Sequence, residues 1–594
     1  MIRRPWYLVV ALILTLSASP HGQQSAAIGG SAQTWRPPVL SDNGMVASGH
    51  ALASEIGVRM LQSGGNAVDA ALAAWAVQGL VEPEMTGLGG DMFILIYLAK
   101  TGEVKFINGT GFAPMAATVD FYKEKGGLPN NGILSVSVPG AVGAVELAAR
   151  TYGTKPLSDI MAPAATLAER GFPVSQSLAG ALRSNRDLLG RIPSSKRIWF
   201  DGDRPLEMGD RVVQRDLANT LREIGAKGSA AFYEGGIARK FAAYMKANGG
   251  LIEAKDLASY NAHEDTPIHV NYKGVEVYEC PPNSQGFVML QALNILEGMN
   301  VRYMRHNSAG YLHAVNEALK LAFADRNRWV GDPRHVPPIP MAGLLSKDYA
   351  ARRRALINPD RASLGEVPAG DPTRVTSTQP LGFAAPQRTP DLAQVSEVSE
   401  DGHTTYLAVV DKDRNMVSIT SSLLSLFGSG HVVEGAGFML NNRMAYFGLE
   451  ADDINVLKPG KRVRQTINPA LALRDGKPYM VFGTPGADTQ PQAQLQFFLN
   501  VVEFGMNVQQ ALEQPYIVTT GFRSSYYPHN AAGTLQIPAS VPKHVLDELA
   551  SMGHTLDINN GRGVGSVKAI VVHPRSGALM GGVSPTRDSY VVAY

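Results

Sequence analysis

The stretch "TTYLAVVDKDRNMVSIT", residues 404–420, has the pattern of a β-hairpin made for a protein core. Two runs rich in β-branched and apolar residues flank the polar turn "KDRN". What precedes it is unusual. From Ala355 to His403 the chain reads "ALINPDRASLGEVPAGDPTRVTSTQPLGFAAPQRTPDLAQVSEVSEDGH", with no helical or strand period. A connection of that length inside a compact domain is uncommon without a function. Whatever fold forms must therefore take a core strand directly from the end of a long unpatterned segment.

Both flanks mix helices and strands. "HALASEIGVRMLQSGGNAVDAALAAWAVQGLVEP" predicts two helices with Gly64-Gly65-Asn66 as the turn between them, and "GLGGDMFILIYLAKTGEVKFING" predicts a Gly-rich turn and two strands. Residues 307–333 predict a long amphipathic helix ended by Gly331 and Pro333. Beyond Thr404 the pattern predicts strands at 405–411, 416–422, 469–474 and 479–483, helices near 491–504 and 541–552, and closing strands in "VKAIVVHP" and "ALMGGVSP". No internal repeat is present, and the reading is one α/β domain assembled from two segments.

With 594 residues, 45% of them hydrophobic, the chain can bury a large core, and a formal net charge of +2 gives no electrostatic case for nucleic acid. Cys280 is the only cysteine, which excludes an internal disulfide and a cysteine-based metal site. At the amino terminus, Arg3 and Arg4 precede the apolar run Trp6–Leu16, too short to span a bilayer. This predicts a signal peptide over residues 1–26, no membrane span after its removal, and a periplasmic or secreted protein. Local motifs offer no cofactor: "GLGGD" lacks the context of a phosphate-binding loop, and no G-x-S-x-G elbow occurs. His306 and His313 have no third ligand patterned with them, so no metal is expected.

Several blocks, in order, carry a family resemblance: "ASEIGVRMLQSGGNAVDAALAA" (53–74), "EPEMTGLGGDMF" (82–93), "SVSVPGAVGA" (135–144), "HAVNEALKLAFADRNRWVGDP" (313–333), "TTYLAVVDKDRNMVSIT" (404–420) and "FGSGHVVEGAGFMLNNRM" (427–444). Together they resemble the γ-glutamyltransferase family of N-terminal-nucleophile hydrolases, from about residue 38 to Tyr594. The resemblance implies a four-layer αββα sandwich, self-cleaved from a precursor into a large subunit (27–403, with 355–403 flexible) and a small subunit (404–594). It implies a cut between His403 and Thr404, after which the hydroxyl of Thr404 is the nucleophile and its new α-amine, with an ordinary pKa near 8, takes the proton. The unpatterned segment then has a role, since its cut end can leave the pocket it filled.

By the same resemblance, Ser422 stands where the family places a hydroxyl bonded to the nucleophile, and Thr405 supports it. "GTPGAD" (483–488) resembles the family's oxyanion turn, with Gly486 and Ala487 as N–H donors. The acyl pocket departs from the pattern. Thr110, in "INGTGFAP", replaces the arginine that grips the α-carboxylate; Leu424 and Tyr446 replace the groups that hold the α-ammonium; Gln465 and Thr466 replace a serine pair. Arg443 replaces a glutamine, and either supplies a cation to the acyl group or pairs with Asp488 or faces solvent. Asp488 itself resembles a branch that cleaves a small amide of a dicarboxylic acid. An apolar Leu424 facing an ammonium would leave a charge unpaired. Between Phe447 and Lys461 the lid is short, which implies an open site.

Three readings follow: a self-processing amidase or acylase for a small-molecule amide with a non-γ-glutamyl acyl group, a true γ-glutamyltransferase with a rearranged pocket, or an inactive secreted binding protein.

Overall fold

The computed structural model describes residues 34–373, 403–559, 565–585 and 587–594. The predicted signal peptide, 1–26, and residues 374–402 of the unpatterned segment lie outside the described residues. Residues 358–373 of that segment carry neither helix nor strand. They are held on the surface by backbone N–H donation from Ala362 to Met552 O (2.8 Å), from Ser363 to Glu317 (3.2 Å) and from Gly370 to Asp325 (2.7 Å).

Two antiparallel seven-stranded sheets stack face to face among the described residues. The strands, in chain order, are β1 (Val39–Ser41), β2 (Met45–Ser48), β3 (Asp91–Leu98), β4 (Glu103–Gly109), β5 (His263–Asp265), β6 (Ile268–Tyr272), β7 (Val275–Glu279), β8 (Thr405–Val410), β9 (Met416–Ser422), β10 (Ala470–Arg474), β11 (Lys477–Gly483), β12 (Lys568–Val572), β13 (Leu579–Val583) and β14 (Tyr590–Ala593). One sheet has the order β14-β2-β8-β9-β3-β4-β5 and the other β1-β13-β12-β11-β10-β7-β6. The expected hairpin is β8–β9, in the middle of the first sheet, with Val409 opposite Val417 and Thr405 opposite Ser421.

Side chains alternate along each strand, so each sheet buries two faces. Tyr406, Ala408 and Val410 pack between the sheets with Leu471, Val481 and Ile570. Leu407 and Val409 face the other way, into a layer that includes α1 (Ala51–Gln62), α2 (Ala67–Val81), α3 (Ala141–Tyr152) and α4 (Leu157–Arg170). The outer face of the second sheet meets α5 (Phe287–Glu297), α6 (Ala309–Trp329) and α7 (Gln490–Val502). The architecture is the expected four-layer αββα sandwich. Helix α2, apolar around nearly its whole circumference, is buried on all sides, as such a pattern requires. Asn66 starts it with a capping box to Asp69, and Asp411, in the β8–β9 turn, accepts the Ala67 N–H at 3.0 Å. The hairpin turn thus supplies a negative group to the helix N-terminus. Helix α6 ends at Trp329, short of Gly331, because Val330 is already extended.

Gly111, just after β4, fixes how closely the future site can pack. A Cβ there would lie 1.4 Å from the carbonyl oxygen of Val138, and its N–H donates to Asp91 at 2.9 Å. We expect Gly111→Ala to destabilise the protein by about 3 kcal/mol, because the contact is backbone on backbone. The shift in urea midpoint measures this; an unchanged midpoint would show that the two segments separate freely.

Candidate active site

The alternation of β8 sends Thr405 and its neighbour Thr404 to opposite sides. Thr405, on the helix side, donates to Glu82 Oε2 (3.0 Å) and accepts from Gln78 (2.9 Å), both at the end of α2. Thr404, on the face shared with Tyr406, is buried, and its hydroxyl donates to Ser422 Oγ at 3.1 Å. Ser422 closes β9 opposite Asp91 of β3. Its own hydroxyl donates to the His403 carbonyl oxygen at 3.1 Å, and its oxygen accepts the Leu424 N–H at 2.9 Å. One serine therefore touches both the threonine hydroxyl and the carbonyl just before it.

The 483–488 turn enters from the second sheet. Gly483 ends β11 against the ring of Tyr406, where a Cβ would come within 2.3 Å of the ring carbons. Gly486 has φ 138° and Ala487 φ 46°, and among the described residues neither backbone N–H donates a hydrogen bond. Ala487 thus occupies the left-handed region at a modest strain cost. The turn is fixed by groups sequence reasoning did not single out. Gln285 donates to the carbonyls of Ala487 (3.1 Å) and Thr466 (3.0 Å), while Arg326 of α6 donates to Gln285 (2.6 Å) and to Asp488 (2.5 Å). Ser525 also donates to Asp488 through its N–H and its hydroxyl, each at 2.7 Å. Asp488 is thus engaged in holding the turn.

Of the expectations for Arg443, pairing with Asp488 and exposure to solvent do not hold. It is buried and its ion pair is with Asp91, at 3.4 Å; its Nη2 donates to Ser422 O at 3.3 Å, and Asp488 belongs to Arg326. The reason is the burial of Asp91 in β3, which raises its pKa and makes a cationic neighbour valuable; Arg443 opposes that rise. Gln465 also donates to Asp91, at 2.9 Å. An acid at the head of an apolar strand was the available signal for Asp91, and the dismissed "GLGGD" turn contains it. Thr110 is fully buried, donating to Asn108 (2.7 Å) and accepting from Asn283 (3.3 Å). Leu424 packs in an apolar cluster with Tyr446, Phe447 and Leu457. Tyr446 and Thr466 share a hydroxyl–hydroxyl bond of 3.0 Å, with the Arg443 guanidinium 5.8 Å from the Tyr446 ring centre. The short segment after Phe447 is tied down by Lys461, which donates to Ile454 O (2.8 Å) and Val456 O (2.9 Å).

The two histidines separate. His306 bonds Asn500 at 3.0 Å, whereas His313 meets His554 at 2.8 Å and lies near Glu317, a trio whose ligand atoms fall within 4.8 Å of one another. His313 also bonds Asn358 O (2.8 Å), and Glu317 accepts from Ser363 and Asn316.

Glu84 follows α2 in the turn whose Met85 and Glu84 carbonyls accept from Leu423 and Phe427. It is buried, its Oε2 has no partner, and burial reinforced by Glu82 pushes its pKa up to about 8. A folded-state pKa raised above 4.5 gives stability that is complete below that value and lost as pH rises through about 8. Denaturation midpoints across that range should fall for the wild type and fall less for Glu84→Gln. Parallel curves would contradict the assignment.

A family model described as gamma-glutamyltranspeptidase matches residues 53–594. Similar proteins include the glutathione hydrolase proenzyme of Pseudomonas sp. (strain A14), 38% identical over 80% of this chain and 82% of that protein. The acylase ACY 1 proenzyme of Pseudomonas sp. (strain SE83) is 34% identical over 94% of this chain and 95% of that protein. Among solved structures, cephalosporin acylase from Bacillus halodurans superposes with a TM-score of 0.83 and 33% identity, covering 95% of this chain and 98% of that one.

Proposed function

This chain belongs to the gamma-glutamyltranspeptidase family, and from that premise we propose that it cuts itself between His403 and Thr404 and then cleaves amides through an acyl-enzyme on Thr404. As an enzyme of the gamma-glutamyltranspeptidase type, it is not the inactive binding protein that was one of the readings. The single observation that carries the proposal is the relay Thr404 hydroxyl to Ser422 hydroxyl to His403 carbonyl, 3.1 Å at each step.

In the precursor, the Ser422 hydrogen bond polarises the carbonyl that Thr404 Oγ attacks. The C–O bond forms, the C–N bond of the peptide breaks, and the proton passes to the freed nitrogen. Water then hydrolyses the resulting ester, leaving a His403 carboxylate and a Thr404 with a free α-amine. That amine is the base an internal threonine lacks. With substrate, Thr404 Oγ attacks the amide carbonyl as the amine takes its proton, and the N–H groups of Gly486 and Ala487 meet the developing oxyanion. Collapse transfers the proton to the departing amine, and water or another amine releases the acyl group. The mature protein is two subunits of one precursor, and the predicted amino-terminal segment supports export to the periplasm or exterior. No helix among the described residues is long and apolar enough to cross a membrane.

The acyl group is one without the γ-glutamyl zwitterion. Thr110, Gln465 and Thr466 are engaged with protein partners, Leu424 is apolar, and Arg443 is neutralised by Asp91. A second reading, a glutathione hydrolase with a rearranged pocket, is favoured by the name of the 38% identical relative. We expect Thr404→Ala to remain a single full-length band on a denaturing gel and to lack activity, whereas the wild type gives two fragments. On γ-glutamyl-p-nitroanilide the wild type should be at least about 100-fold slower than on its preferred amide, the cost of losing both head-group contacts. Processing by Thr404→Ala would refute the nucleophile, and fast γ-glutamyl turnover would establish the second reading.

A further inference from the structure

Helix α6 carries His313 and Glu317 at i and i+4, so both side chains leave the same face of the helix. Both are buried. A second histidine reaches this face from 241 residues further along the chain. It follows α8 (Lys543–Ser551), where Gly553 takes φ 95°, a left-handed value that glycine adopts without strain, and the chain turns His554 back toward α6. The expectation of no metal rested on the sequence spacing of His306 and His313. The further donors come from the next helical turn and from the far side of the unpatterned segment.

Hydrogen bonding decides which ring atoms can ligate. The Asn358 carbonyl oxygen only accepts, so the His313 Nε2 that meets it at 2.8 Å carries a proton. In the neutral ring His313 Nδ1 is then a lone pair, and it lies 2.8 Å from His554 Nε2. A ring N–H given to a backbone carbonyl is the usual support of a metal-ligating histidine. The two oxygens of Glu317 each accept one hydrogen bond, from Asn316 and from Ser363, and keep lone pairs. Lys320 is the nearest competing cation, 3.6 Å from Glu317 Oε1, and it donates to Ser363 O. Asn316 gives an independent sign of a ligand. Its Nδ2 donates to Glu317 Oε1 at 3.0 Å, which orients the amide and leaves Oδ1 buried with no hydrogen-bond partner. Asn316 is 2% exposed and lines a cavity of about 60 Å³ shared with His554, Lys320, Ser363, Thr519 and Thr534. A buried acceptor beside a polar cavity calls for a donor, which a metal-bound water supplies.

We propose that His313 Nδ1, His554 Nε2 and an oxygen of Glu317 bind one divalent transition-metal ion of the zinc class, with water from the cavity as the fourth ligand. Two imidazoles and a carboxylate suit such an ion, whereas Mg²⁺ and Ca²⁺ take oxygen ligands. The three ligand atoms already fall within 4.8 Å of one another, and tetrahedral zinc needs them about 3.3 Å apart. The ion takes the place of the proton between the two rings, and His554 moves that proton from Nε2 to Nδ1. Its role is structural. It ties α6, which precedes residue 403, to the turn after α8, which follows Thr404. Once the chain is cut, it clamps the large fragment to the small one. That clamp rests on the processing proposed above, whereas the binding of the ion does not.

The test strips purified wild type, His313→Gln, His554→Gln and the control His306→Gln with a chelator, then titrates each with Zn²⁺ and with Mg²⁺ by calorimetry. Wild type and His306→Gln should take up one Zn²⁺ per chain and no Mg²⁺, and the two ligand variants should bind Zn²⁺ at least about tenfold more weakly. X-ray absorption of Co²⁺-loaded wild type should show two imidazole nitrogens around the ion, a readout that holds even where a variant fails to fold. Zn²⁺ should also raise the urea concentration at which the two wild-type fragments separate. Equal Zn²⁺ affinity in wild type and both ligand variants, or a Co²⁺ shell of oxygen alone, would overturn the site. Specific zinc that leaves fragment separation unchanged would refute the clamp. Zinc binding that depends on His554 in a chain that stays uncut would support the site and sink the processing instead.

Discussion

The hydrogen bond from Thr404 to Ser422 governs the rest of the site, because it joins the start of one core strand to the end of its neighbour. Hairpin register alone brings the two ends of β8 and β9 together. The same serine donates to His403 O, so the group that aligns the hydroxyl also faces the bond proposed to break. Strand alternation divides the labour of the threonine pair. One side chain points into the space between the sheets, where the 483–488 turn arrives, and the other is pinned to the end of α2 by Glu82 and Gln78. Rigid strands are better supports for such geometry than loops.

Around this relay, buried charges are arranged in pairs. Asp91 collects Arg443, Gln465 and the Gly111 N–H, while Asp488 collects Arg326 and Ser525. Breaking one partner of such a pair strands the other in a low-dielectric interior, at a cost of about 3–5 kcal/mol. These pairs tie the segments around the relay to one another.

Much of the fold was legible in the sequence because it is written in periods. The hairpin 404–420, the strands of "DMFILIYLAKTGEVKFING" and the long helix ending near residue 330 all appear where alternation or helical spacing put them. The candidate nucleophile pair was legible only through resemblance, since nothing local separates Thr404 from an ordinary strand residue. Three-dimensional pairing was not legible. Arg443 and Asp91 are far apart in sequence, as are Arg326 and Asp488, and no spacing rule connects them. The expectation that Arg443 would meet Asp488 or solvent failed for that reason: it took the nearer buried acid. Gln285, which links the 483–488 turn to Thr466, carries no sequence signal beyond being a polar residue before an apolar helix.

The central claim is that a buried threonine gains its own base when the backbone before it is cut. Amino-terminal sequencing and intact mass of the purified mature protein test this most directly. The account predicts a small fragment that begins at Thr404 with an unmodified α-amine, together with a large fragment that ends at His403. A mature, active protein with His403 and Thr404 still joined, or with a new chain start at another residue, would contradict it.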